Sequence, residues 1–141
     1  MDYLTSRPQA DPSRVAAIGY CFGGMGALEL ARSGAPLRAV VTFHGALNNP
    51  TPEDAKNIKA KVLVLHGADD PFVKQSEVAA FMDEMRAAGV DWQLVQYSGA
   101  VHGFTDKRTG SDNSKGAAYN ANADRRSWRA MRDFLEEAFA N

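Results

Sequence analysis

Short apolar runs alternate with amphipathic segments along most of this 141-residue chain. Four of the runs have the length and composition of buried strands. They are Val15–Tyr20, Leu37–Phe43, Val62–Leu65 and Trp92–Tyr97. Apolar residues at helical spacing predict a helix over Gly23–Ser33, another from Ser76 as N-cap to Gly89, and a last helix that includes Trp128, Met131, Leu135 and Ala138.

The order of these elements, strand then helix, predicts an α/β fold. About four mostly parallel strands are expected, with helices on both faces of the sheet. The length suits one domain over residues 1–141. In such sheets, ligands bind beyond the carboxyl ends of the strands. A predicted strand end is followed by Cys21, by the pair Asp69 and Asp70, and by His102.

The composition narrows the possible functions. The chain is 45% hydrophobic and 23% charged, and its net charge is −1, so neither disorder nor nucleic-acid binding is expected. The apolar runs are too short to span a membrane, and the N-terminus lacks a signal-peptide pattern, so we expect a cytoplasmic protein. One cysteine excludes an internal disulfide, and with three histidines it makes a poor zinc site, so we predict no metal site.

A nucleophile is predicted at Cys21, in the turn between the first strand and the first long helix. Small residues two before and two after a nucleophile, here Gly19 and Gly23, are typical of a strained strand-to-helix turn. The turn holds the sulfur at the N-terminus of the helix, where the helix dipole and free amides favour the thiolate. The Phe22 amide is the expected first donor of an oxyanion hole. A small buried cysteine is the alternative.

An acid and a histidine are expected to complete the site. In hydrolases with this turn, the chain order is nucleophile, acid, histidine. Asp69 and Asp70 follow the third strand, and His102 is the only later histidine. Asp70 is preferred because the residue before a proline is held extended, whereas Asp69 has the position of a turn-capping carboxylate.

Several neighbouring side chains are candidates for the substrate pocket. Tyr20, Phe72 and Phe104 lie beside the three predicted residues in the sequence and are expected to line an apolar pocket or to pack in the core. His44 and His66 also follow or end strands, but both precede the acid, so a packing or hydrogen-bonding role near the pocket is expected for them.

Three motifs together resemble the dienelactone hydrolase (carboxymethylenebutenolidase) family of the α/β-hydrolase superfamily. The similarity runs from about Tyr3 to Phe139 and includes Phe43-His44-Gly45. The motifs are Gly19-Tyr20-Cys21-Phe22-Gly23-Gly24, Leu65-His66-Gly67-Ala68-Asp69-Asp70-Pro71 and Val101-His102-Gly103-Phe104-Thr105. The resemblance implies that Cys21 is the nucleophile, Asp70 the acid and His102 the base, in a hydrolase that needs no cofactor.

Members of that family are longer, so the chain resembles the C-terminal portion or a minimal form of the fold. The expected fold is therefore a truncated or minimal α/β-hydrolase core that lacks the usual N-terminal strands. Val15–Tyr20 would then lie at an open edge of the sheet. Because an exposed apolar edge strand recruits a partner, we expect a homodimer that covers it.

The predicted function is hydrolysis of carboxylic esters or lactones through a thioester acyl-enzyme. Broad esterase activity is favoured over strict dienelactone specificity, because the family's substrate-carboxylate site is expected in the absent part. The expected partner is a small ester or lactone. The alternatives are a catalytically weak domain with a structural or association role, and redox sensing by Cys21.

Overall fold

A computed structural model describes residues 2–140 of the chain and places a four-stranded sheet at its centre. The strands are β1 (Ala16–Tyr20), β2 (Ala39–Phe43), β3 (Lys61–Gly67) and β4 (Trp92–Tyr97). The α-helices are α1 (Asp2–Thr5), α2 (Phe22–Arg32), α3 (Gln75–Ala88) and α4 (Ala121–Ala140). Short 3₁₀-helices cover Pro52–Asn57, Lys107–Thr109 and Asn113–Lys115.

All neighbouring strands are parallel, in the order β1-β2-β3-β4. The prediction of four parallel strands is confirmed, and β1 lies at one edge of the sheet as expected. Because the strands are parallel, their carboxyl ends share one edge of the sheet, and the segments that follow them meet there.

Helices cover both faces of the sheet, as predicted. On one face, α2 and α3 pack against alternate strand residues such as Val40, Val62 and Val64. On the other face, α4 packs against the intervening residues, such as Val41 and Leu63. Side chains of a strand point alternately to opposite faces, so strands buried on both sides read as continuous apolar runs in the sequence.

The start of α3 differs from the prediction, and the structure defines the start of α4, which the sequence pattern left open. The third helix begins at Gln75 after Lys74, and its N-cap makes no side-chain hydrogen bond, so Ser76 as N-cap is wrong. The last helix begins at Ala121, ahead of its apolar stripe, because the Asn120 side chain accepts hydrogen bonds from the amides of its first turn. Gly89 ends α3 in the left-handed conformation, as predicted.

Within residues 2–140, no helix is both long and apolar enough to cross a membrane.

Candidate active site

Cys21 occupies a strained turn between β1 and α2. Its backbone torsions are φ 53° and ψ −120°, a combination that non-glycine residues rarely adopt. The Cys21 amide donates a hydrogen bond to the carbonyl of Phe43 on β2, and the Cys21 carbonyl accepts from the Gly24 and Met25 amides. These bonds hold the turn, and the thiol is exposed at the first turn of α2.

Two glycines allow this turn to form. A Cβ on Gly19 would overlap the Gly23 carbonyl, and a Cβ on Gly24 would overlap the Thr42 hydroxyl. A Cβ on Gly23, in contrast, would meet open space. Glycine is expected on steric grounds at Gly19 and Gly23, on both sides of Cys21. The structure requires it at Gly19 and Gly24 instead, and Gly23 contributes the backbone carbonyl against which Gly19 packs.

Three side chains from three strand ends form one hydrogen-bonded series. The His102 Nε2 atom lies 3.1 Å from the Cys21 Sγ atom. Its Nδ1 atom lies 2.8 Å from the Asp70 Oδ2 atom. The Asp70 side chain is fully buried and also accepts a hydrogen bond from the Phe72 amide at 2.9 Å. A carboxylate, an imidazole and a thiol in this order can hold a proton between nitrogen and sulfur.

The series changes the pKa of each member. The hydrogen bond with Asp70, more than any other interaction, raises the pKa of His102 to about 9. The hydrogen bond with His102 lowers the pKa of the Cys21 thiol, helped by the Phe22 amide and opposed by partial burial. Burial would raise the pKa of Asp70, but its bonds from His102 and Phe72 outweigh it, so that pKa is lowered. The pair therefore favours a thiolate beside an imidazolium.

The two candidate aspartates have different surroundings. Asp69 is exposed, and its Oδ2 atom accepts a hydrogen bond from the Gly99 amide at 3.0 Å. Asp70 is buried and reaches His102. The structure thus gives Asp69 the turn-capping position, and Asp70 the position beside the histidine.

Two cavities adjoin the thiol and the imidazole. The larger, about 500 Å³, is lined by polar and apolar groups that include Tyr20, His44, Thr105, Asp106 and Arg108. The smaller, about 220 Å³, is mainly apolar and is lined by Phe22, Met25, Ala46, Phe72 and Val73. Cys21 and His102 line both.

The three aromatic residues predicted to line the pocket lie in different surroundings. Tyr20 lines the larger cavity and stacks on Phe43, with ring centroids 4.4 Å apart. Phe72 lines the smaller cavity. Phe104 is fully buried in the core below the site, between the rings of His44 and Tyr97, so a pocket-lining role for it is wrong.

Several cavity residues gave no signal in the sequence. Met25 and Ala46 resemble core residues in the sequence pattern, and Thr105, Asp106 and Thr109 belong to a long polar loop. Only the fold brings them together, although a polar stretch as long as Thr105–Ala118 is in itself typical of a functional loop.

The other two histidines lie close to this site. His44 is nearly buried, lines the larger cavity and makes a 2.9 Å hydrogen bond to the Thr105 hydroxyl, as expected for a hydrogen-bonding histidine near the pocket. His66 is fully buried, and neither ring nitrogen has a hydrogen-bond partner within residues 2–140.

Within residues 2–140, no group of three or more histidine, cysteine or carboxylate side chains is arranged to hold a metal ion.

A parallel sheet with a thiol at a strand-to-helix turn, followed by a buried acid and a histidine, defines the α/β-hydrolase class of fold. The model of the dienelactone hydrolase family matches residues 1–139. The chain therefore belongs to the dienelactone hydrolase family.

Individual relatives agree with this assignment. A dienelactone hydrolase-like promiscuous phosphotriesterase from metagenomic libraries is 51% identical, with a TM-score of 0.88 over 97% of this chain and 57% of that one. A protein of Salmonella typhimurium named "Putative carboxymethylenebutenolidase" is 33% identical over 114 residues, which are 74% of this chain and 42% of that protein. An uncharacterised protein of Caenorhabditis elegans is 37% identical over 99% of this chain and 90% of its own length.

The relatives differ in length. The chain spans about half the length of the Salmonella protein and the solved phosphotriesterase, but nearly all of the C. elegans protein. Residues 1–139, which the family model matches, contain Cys21, Asp70 and His102.

Proposed function

We propose that the chain hydrolyses carboxylic esters or lactones, with Cys21 as nucleophile, His102 as general acid and base, and Asp70 as the group that orients His102. The observation that carries this proposal is the hydrogen-bonded series from Cys21 through His102 to Asp70, at 3.1 and 2.8 Å, on the walls of two cavities. Family membership supports hydrolysis as the general activity.

The first half of the reaction forms a thioester. The Cys21 thiolate attacks the carbonyl carbon, a carbon–sulfur bond forms, and the carbonyl π electrons move onto oxygen. The Phe22 amide, at the N-terminus of α2 and near enough to the Cys21 sulfur to lower its pKa, is the proposed donor to that oxyanion. When the intermediate collapses, the carbon–oxygen bond breaks and His102 gives its proton to the leaving oxygen.

The second half releases the acid. Neutral His102 removes a proton from a water molecule, which attacks the thioester carbonyl. The carbon–sulfur bond then breaks and the thiolate leaves, so that the thiolate–imidazolium pair is restored. Asp70 stays ionised throughout and keeps Nδ1 of His102 protonated by accepting its hydrogen bond.

The two cavities support broad ester specificity. An ester carbonyl carbon carries two groups, and the two cavities that both border Cys21 and His102 offer one space for each. The smaller apolar cavity suits a short alkyl group, while the larger one, with Asp106 and Arg108 at its wall, takes a larger and more polar group. The metagenomic relative is described as a promiscuous phosphotriesterase, so phosphotriesters are a second candidate substrate class, to be assayed with the same variants.

We expect kcat/KM for ester hydrolysis to follow a bell-shaped pH profile whose alkaline limb lies near pH 9. The thiolate forms as pH rises through the lowered pKa of Cys21, so activity increases there. His102 must be protonated to release the leaving group, and it loses that proton as pH rises through about 9. Initial rates measured from about pH 5 to about pH 10, at intervals of about one pH unit or less, test this profile.

The Asp70→Asn variant provides the control for that profile. The substitution removes the main interaction that raises the pKa of His102, so the remaining activity should have its alkaline limb at lower pH. An alkaline limb at the same pH in the variant would show that it belongs to another group.

A homodimer that covers β1 remains part of the proposal. β1 is the outer strand of the described sheet, and its Ile18 and Tyr20 side chains are 45% and 41% exposed, whereas every residue of β2 is buried. Ile18 pairs with Val41, so both side chains lie on the face of the sheet where α4 packs. There α4 covers Val41 but leaves Ile18 exposed, so an apolar surface remains at the β1 edge.

Sedimentation velocity is expected to show a dimer at micromolar concentration. Ile18→Lys places a charge on the exposed face of β1 and should shift the equilibrium toward monomer. Lys74→Ala, at an exposed site before α3, is the matched control. A wild-type chain that sediments as a folded monomer at these concentrations would exclude the dimer.

A further inference from the structure

His44 has an unusual backbone conformation directly beyond β2. Its φ is 40°, and Cys21 is the other non-glycine residue with positive φ in residues 2–140. The His44 amide is fixed by a 2.8 Å hydrogen bond to the Leu65 carbonyl. Such conformations are rare outside glycine and concentrate at functional sites, so the fixed direction of this side chain calls for an explanation.

The His44 ring packs against the histidine of the proposed site. Its centroid lies 5.3 Å from that of His102, with 63° between the ring planes. The Phe72 ring also meets His102 edge-on, at 5.4 Å and 83°. The His102 ring therefore contacts two aromatic rings, while its two nitrogens form hydrogen bonds with Asp70 and Cys21. Packing on the ring faces and edges limits rotations that two hydrogen bonds leave free.

The His44 ring is itself held in place. Its Nε2 atom lies 2.9 Å from the Thr105 hydroxyl, and Phe104 packs against it at 5.1 Å. The groups whose charges reach it are His102, Asp70 and Asp106. Burial, more than the nearby His102, lowers the pKa of His44 to about 4, so the ring is neutral at ordinary pH and adds no positive charge beside the imidazolium.

We propose that His44, held by the Thr105 hydroxyl, is a positioning residue that fixes the ring of His102 in line with the Cys21 sulfur. This inference rests on the proposed function, because His102 matters only if it acts on Cys21. The competing explanation is that His44 is simply the turn residue that brings Gly45 against α2, where a Cβ on Gly45 would lie 3.0 Å from the Met25 amide nitrogen.

Three variants and an alkylation assay test this role. Asparagine tolerates positive φ, so His44→Asn keeps the turn and removes the ring. Thr105→Val removes the hydroxyl at nearly constant shape, and Thr105→Ser retains it. Cys21 is the one cysteine of the chain, so its alkylation by iodoacetamide as a function of pH reports thiolate formation at this site without any ester substrate.

We expect His44→Asn and Thr105→Val to raise the midpoint pH of alkylation and to lower kcat for p-nitrophenyl acetate about tenfold with little change in KM. Thr105→Ser should bring the midpoint back toward the wild-type value. Circular dichroism melting shows which variants are folded, and if His44→Asn does not fold, the two Thr105 variants decide.

Unchanged alkylation midpoints in folded His44→Asn and Thr105→Val would overturn the inference and leave His44 as a turn residue. A raised midpoint in a chain whose wild type hydrolyses no ester would support the positioning of His102 while contradicting the proposed hydrolase function. The two failures are therefore distinguishable.

Discussion

Replacing Cys21 with alanine is expected to lower the rate of p-nitrophenyl acetate hydrolysis by at least about 1,000-fold, because the covalent route is lost. The substitution removes one exposed sulfur and leaves the glycines that form the turn, so the fold should be retained. Rates measured with purified wild type and variant, together with their circular dichroism spectra, test this expectation.

Two adjacent aspartates supply a matched control for the same experiment. Asp70→Asn is expected to lower the rate strongly, because it disturbs the protonation and orientation of His102. Asp69→Asn changes an exposed carboxylate that accepts a bond from the Gly99 amide, and it should retain most of the activity. Equal rates for wild type and Cys21→Ala would refute the proposed nucleophile, and equal losses in both aspartate variants would refute the assignment of Asp70.

Removing the Glu84 side chain is expected to lower the stability of the fold strongly. Glu84 forms a bidentate, buried ion pair with Arg32, at 2.9 and 2.8 Å, and links α3 to α2. Asn49 donates to the same carboxylate at 2.8 Å. In Glu84→Ala the Arg32 charge stays buried, and among residues 2–140 the half-exposed Glu29 is its one remaining ion partner. The free energy of unfolding should therefore fall by about 3–5 kcal/mol.

An exposed pair one residue away provides the comparison. Asp83 pairs with Arg86 at 2.8 Å, but both side chains are largely exposed. Asp83→Ala should therefore change the free energy of unfolding by less than about 1 kcal/mol. Urea denaturation of both variants measures the two values, and similar losses at Asp83 and Glu84 would contradict the argument from burial.

A double replacement separates the cost of an unpaired charge from the value of the ion pair. Arg32→Met combined with Glu84→Leu removes both charges and keeps apolar volume between α2 and α3. It should recover much of the stability lost in Glu84→Ala, because no buried charge remains unpaired.

The main features of the fold and site were predictable because they depend on local patterns. Strands buried on both faces form continuous apolar runs, and the parallel order follows from the alternation with helices. Cys21, Asp70 and His102 could be named because each follows a strand end in a fixed order. Burial and the contact with His102 then distinguish Asp70 from Asp69, which the sequence distinguished only by a proline.

Other features depend on contacts that are distant in the chain. Gly19 needs to be glycine because α2 approaches it, whereas Gly23 has open space at its Cβ position. Phe104 lies two residues after His102 yet points into the core, since the backbone changes direction at Gly103, where φ is 65°. The conformation of His44 and its bond to Thr105 join residues 61 positions apart, which no local pattern predicts.

The stability and the chemistry of this domain depend on separate groups. The buried pair of Arg32 and Glu84 lies between α2 and α3, on the face of the sheet opposite α4. Cys21 and His102 lie at the carboxyl ends of the strands. Variants at Glu84 should therefore change the unfolding transition more than the pH dependence of hydrolysis, and variants at Asp70 should do the reverse.

Mass spectrometry of the chain trapped during turnover tests the proposed nucleophile most directly. The wild type is mixed with p-nitrophenyl acetate, quenched in acid within the first turnovers, and digested to locate any modification. A thioester at Cys21 predicts an added acetyl group of about 42 Da on the peptide that contains it, removable by hydroxylamine. Turnover with no acetyl group on Cys21, or with the acetyl group on another residue, would contradict the proposed mechanism.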